Sequence, residues 1–182
     1  MINRSLGISC GLAIVLAGCS ETVTKDSSKT VPKTSETVKS DIIFKKLRAP
    51  WNIEKNQKMF YITEREGTIV KGAEGNYSRT DLELTEPVVA QGEGGLLGMA
   101  LDPDFSKNRT AYVYHTYEKD GALWNRIIAI KEEKESWKEQ RVLLDKIPGA
   151  TIHNGGRIEI GPDGLLYVTV GDAAVPENAQ KL

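Results

Sequence analysis

The sequence predicts an all-β fold of the β-propeller type, and three observations carry that prediction. The segments Phe60-Tyr61-Ile62-Thr63, Tyr112-Val113-Tyr114-His115 and Tyr167-Val168-Thr169-Val170 each follow a short apolar strand and a polar turn. They recur at a spacing of roughly 50 residues, the length of a blade made of several short strands. The last unit is also a complete hairpin signature. Arg157–Ile160 alternates polar and apolar residues, Gly161-Pro162-Asp163-Gly164 supplies the turn, and Leu165–Val170 is β-branched and aromatic.

Taken in order, Ile42-Ile43-Phe44 reads as a first short strand, and Pro50–Ile53, Lys58–Thr63 and Thr68–Lys71 as a meander turned at Glu66-Gly67. Leu82–Val89 reads as a further strand. The glycine-rich run Gly92–Gly98 is not a phosphate loop: it lacks the Gly-Lys-Ser/Thr ending, and Pro103 prevents a continuing helix. It reads as backbone approaching something closely, with Glu93 carried on that approach. Ala111–Tyr117 is a strand in which His115 alternates with Val113 and Tyr117, so His115 is expected to be packed or hydrogen-bonded. Lys131–Gln140 is rich in Glu and Lys and has helical propensity, but the repeat spacing makes it a hairpin connection to a strand at Arg141–Leu144. Leu165–Val170 is expected to be a buried strand. Propellers close with about four to eight blades. Three repeats therefore predict either a fragment or a chain unable to close a toroid alone.

The first forty residues belong outside the fold. Leu6–Ala17 is an apolar core too short to span a bilayer, and Leu16-Ala17-Gly18-Cys19 resembles the lipobox of bacterial lipoproteins. That predicts a signal peptide over 1–18, lipidation of Cys19, a Ser/Thr/Lys-rich tether to residue 40, and a domain over 41–182. Two acyl chains on Cys19 would hold the protein stably at the outer face of a bacterial membrane. The two cysteines, Cys10 and Cys19, both precede the domain. A net charge of −1 without a basic block argues against nucleic-acid binding.

Hairpin pairing should bring His153, at the entrance of the last unit, close to Asp172 at its exit. A histidine base beside a carboxylate that orients it is an arrangement for proton abstraction. No Gly-x-Ser-x-Gly elbow or Asp-rich calcium loop is written in the domain over 41–182.

These stretches resemble the soluble quinoprotein glucose/sorbosone dehydrogenase family, also called aldose sugar dehydrogenases. The resemblance rests on Ile62–Gly67, Gly92–Phe105, Asn125-Arg126-Ile127, Leu143–Gly149 and above all His153–Asp172. It implies a six-bladed β-propeller, of which this chain carries about the first half. It also implies pyrroloquinoline quinone (PQQ) with calcium, oxidation of an aldose at C1, and electrons passed to an external acceptor. In that scheme His153 takes the C1 hydroxyl proton while hydride goes to the quinone, and Asp172 keeps the histidine basic. Glu93 falls where some members have a glutamine contacting substrate or cofactor. Most cofactor ligands of the family lie in later blades. Two other readings stay open: a non-catalytic propeller lipoprotein that binds sugars or glycans, and an inactive truncated product.

Overall fold

A computed structural model describes residues 40–134 and 136–180. The expected signal peptide, Cys19 and all but the end of the tether lie outside the described residues. Strands β1 (Pro50–Asn56), β2 (Met59–Glu64), β3 (Thr68–Ala73) and β4 (Asn76–Glu83) form one antiparallel meander. Strands β5 (Leu96–Leu101), β6 (Thr110–Lys119), β7 (Ala122–Glu132) and β8 (Trp137–Pro148) form a second. A single-turn helix α1 (Phe105–Asn108) connects β5 to β6. A short parallel pairing of Leu82 with Trp137 and Glu83 with Lys138 joins the outermost strands of the two meanders. Strands β9 (Gly155–Ile160) and β10 (Leu166–Val170) open a third, two-stranded sheet. The three repeated segments fall on β2, β6 and β10, the second strand of each unit. The first strands β1, β5 and β9 lie side by side. This is the blade arrangement of a propeller.

The middle blade is apolar on both faces because it is covered on both. Leu96, Met99, Val113, Ile128, Ile130 and Trp137 pack with Tyr61 and Ile69 of the first blade. The alternate residues Leu97, Ala100, Tyr114 and Ile127 pack with Ile158 of the third. Each such aliphatic side chain contributes about 1.5–3 kcal/mol on burial. Polar stitches add register: Thr63 Oγ1 donates to the Leu97 carbonyl at 2.7 Å and Asn52 Nδ2 to that of Met99 at 2.9 Å.

Four local expectations are corrected. Ile42–Phe44 is not a strand but part of an arm. Its Phe44 ring stands edge-on to Phe60 and Tyr77, and Tyr77 Oη and Arg79 Nη2 donate to the Lys45 and Lys46 carbonyls. The strand read at Leu82–Val89 ends at Glu83, because Thr85 N–H is taken by the Glu139 carboxylate and Pro87 has no N–H for a ladder. The connection after β7 is indeed a hairpin, yet β8 begins at Trp137 and is far longer than Arg141–Leu144. Finally, the expected strand Leu165–Val170 is not buried: Leu165, just before β10, is 63% exposed, and Tyr167 and Val170 on it are 55% and 49% exposed. Among the described residues β10 pairs along one edge only, so just Leu166 and Val168 reach the apolar cluster.

Candidate functional site

His153 lies in the loop between β8 and β9, and Asp172 two residues beyond β10. Pairing of β9 with β10 brings these two loops together, and the imidazole Nδ1 is 2.9 Å from Asp172 Oδ1. The His153 side chain is 56% exposed, while that of Asp172 is 25% exposed. With Nδ1–H donating to the carboxylate, Nε2 is left as an acceptor without a partner among the described residues.

The His153 backbone is in the left-handed region, φ 59°, which costs a non-glycine residue about 1–2 kcal/mol. Two loops hold it there. Its N–H donates to Glu93 Oε2 at 2.8 Å, and its carbonyl accepts from Ala173 N–H at 3.1 Å. A Cβ on Gly171 would overlap the His153 carbonyl, and one on Gly92 would overlap that of Thr151, so both loops need glycine where they cross. Asp172 is itself fixed by the Ala174 N–H on Oδ1 at 2.9 Å and by Asn178 Nδ2 on its carbonyl at 3.0 Å.

Glu93 rides on a loop that is tied down from both sides. Its N–H donates to the Thr151 carbonyl at 2.7 Å, and the Arg65 guanidinium donates to the Gly92 and Gly94 carbonyls. Glu93 therefore reaches the site as a clamp on the His153 backbone. Trp51, Arg65, Glu93, Asn154 and Gly155 line a cleft of about 240 Å³ beside the pair. That is smaller than the usual ligand cavity of about 300–1,000 Å³. Arg157 stacks over the Trp51 ring at 4.6 Å next to it.

The three residues expected at the site thus converge, and Cys19 lies outside the described residues. Arg65 and Asn154 were not anticipated, since an arginine in a β-turn and an asparagine before Gly-Gly carry no signal without their partners. His115 is elsewhere, wholly buried on β6. Its Nε2 accepts from Arg126 Nε at 2.8 Å, and burial, reinforced by that guanidinium, lowers its pKa to about 4. Among the described residues no group of three or more His, Cys, Asp or Glu side chains could hold a metal ion.

The chain is similar to several known proteins. The chain is 32% identical over 123 residues to quinoprotein glucose dehydrogenase B of Acinetobacter calcoaceticus, covering 62% of this chain and 26% of that protein. It is 30% identical over 137 residues to the Hedgehog-interacting protein of Homo sapiens, covering 66% of this chain and 19% of that one. The PQQ-bound aldose sugar dehydrogenase of Streptomyces coelicolor superimposes with a TM-score of 0.67 at 31% identity, over 76% of this chain and 42% of that one. The chain thus spans about a quarter of the Acinetobacter protein and under half of the Streptomyces structure. The glucose/sorbosone dehydrogenase family profile matches residues 47–182, and the chain belongs to that family.

Proposed function

We propose that this chain is the base-carrying part of a PQQ-dependent sugar dehydrogenase that oxidises an aldose at C1. The observation that carries the reading is the His153–Asp172 pair at the rim of the blades, with the imidazole more than half exposed and Nε2 without a partner among the described residues. A sugar hydroxyl placed against Nε2 gives its proton to His153. Asp172 holds the ring so that Nε2 is the accepting nitrogen and stabilises the imidazolium that results. Such a base contributes about 10²–10⁴ in rate. Glu93 keeps the ring aimed by holding the His153 N–H.

The described residues do not by themselves fit the cofactor. PQQ is a planar tricarboxylate and calcium takes six to eight oxygens. The cleft offers the Arg65 guanidinium, whose Nε and Nη2 are engaged by the Gly92 and Gly94 carbonyls, and a single carboxylate, Glu93, with no cluster of three or more metal-ligating side chains among the described residues. PQQ and calcium are accordingly proposed for the whole protein, as are the aldose substrate, the external electron acceptor, lipid anchoring at Cys19 and an extracytoplasmic location. The similarity to the Hedgehog-interacting protein favours a second reading, a propeller that binds a partner without oxidising it, for which a glycan is the ligand proposed here.

Reconstitution separates the two. The full-length protein given PQQ and calcium is expected to reduce a dye with an aldose. Glycan binding without PQQ uptake or dye reduction would sink the dehydrogenase reading.

A further inference from the structure

We infer that Asn154 is the positioning residue of the base loop, a buried amide that ties His153 to the middle blade. This rests on the reading of His153 as the proton acceptor. Asn154 is 2% exposed, although it adjoins the exposed His153. Its side chain pairs with both backbone groups of Ala150: Nδ2 donates to the carbonyl at 2.8 Å, and Oδ1 accepts the N–H at 3.1 Å. The amide thus stands in for a neighbouring strand and closes residues 150–154 into a ring.

The ring is fastened to β6 and β7. Asn125 Nδ2 donates to Asn154 Oδ1 at 3.0 Å, Thr116 Oγ1 donates to Asn125 Oδ1 at 2.7 Å, and Tyr114 Oη donates to the Asn154 carbonyl at 2.9 Å. Thr116, Asn125 and Tyr114 are all fully buried. Both side-chain groups of Asn154 are satisfied, so the relay has one low-energy arrangement, and with it the backbone leaving Asn154 towards His153 has one direction. Thr116 also packs against Gly94, where an added Cβ would come within 2.9 Å of its Oγ1. The same threonine therefore references the Glu93 loop and the His153 loop to one point. Glu93 and Asp172 hold His153 from outside. Asn154 holds it from the core.

The test uses the full-length protein and two readouts. In the wild type, proton NMR should show one downfield Nδ1–H signal for the His153–Asp172 hydrogen bond. In Asn154→Ala that signal should broaden or vanish, and kcat for aldose oxidation should fall about 10²-fold with KM little changed, as expected for a base displaced by about an ångström. A folded variant that keeps both the signal and the wild-type kcat would overturn the inference. Should Asn154→Ala fail to fold, Asn154→Asp keeps the size and the acceptors but sets a carboxylate oxygen against the Ala150 carbonyl. It should weaken the signal in the same direction, and an unaltered signal would overturn the inference equally. The ring signal is read without substrate or cofactor. It therefore decides the positioning even where the dehydrogenase reading fails, loss supporting it and retention overturning it.

Discussion

The two histidines of this chain occupy opposite environments, and the contrast shows what makes a histidine available for chemistry. His115 is completely buried, with Nε2 used by Arg126 and Nδ1 3.3 Å from the Thr116 carbonyl. The partnering guanidinium is held in turn by Glu139, Thr85 and the Glu86 carbonyl. Every lone pair and proton of that imidazole is spoken for, and burial keeps it neutral. Among the described residues His153 commits only Nδ1, to Asp172, and leaves Nε2 without a partner. One ring is a structural joint between β6 and β7; the other is left free for the base role proposed for it. Residue type is the same, and the number of engaged nitrogens separates the roles.

The largest effect expected from this contrast is on activity. His153→Ala should lower aldose oxidation by the full-length protein about 10²–10⁴-fold, with the urea midpoint almost unmoved, because the side chain is more than half exposed. Asp172→Asn replaces the oriented carboxylate by an amide that can present its NH₂ to the ring. Dye-reduction rates should fall about 10²-fold, as for a base held in the wrong place.

His115 should answer in stability instead. Its folded pKa of about 4 lies below the ordinary 6.5, so the unfolded chain binds the extra proton anywhere between those values. The contribution is complete above pH 6.5 and is lost as pH falls towards 4, a difference of about 3 kcal/mol. His115→Gln keeps an acceptor for Arg126 but not the titration. Urea unfolding at pH 7 and near pH 4.5 should show a smaller acid loss in this variant than in the wild type, with activity per folded molecule retained. The smallest effect belongs to Glu93→Gln. An amide oxygen can still accept the His153 N–H, and only the charge assistance is lost, about 1 kcal/mol, which a several-fold change in kcat/KM would register.

What was legible in the sequence is what local chemistry dictates. Turn residues at Gly161–Gly164 and the alternation on either side fix a hairpin, and a hairpin has to bring its ends together, so His153 and Asp172 could be paired without coordinates. The repeat of Phe60, Tyr112 and Tyr167 gave the blades because each stands at the same place in a meander. The failures lie where a distant partner decides. Ile42–Phe44 has strand propensity, yet Phe44 is claimed by Phe60 and Tyr77. Leu165, Tyr167 and Val170 look like core residues but are exposed, just before or on a strand that is paired along one edge among the described residues. Asn154 looks like a loop residue, and its importance comes from Asn125, on β7.

Chemical rescue tests the central claim most directly. Full-length His153→Ala, supplied with PQQ, calcium and a saturating aldose, is assayed for dye reduction with rising concentrations of imidazole. The account predicts a rate far below wild type that climbs with imidazole, because the added ring restores the missing proton acceptor beside Asp172. A variant as fast as the wild type without imidazole would contradict it.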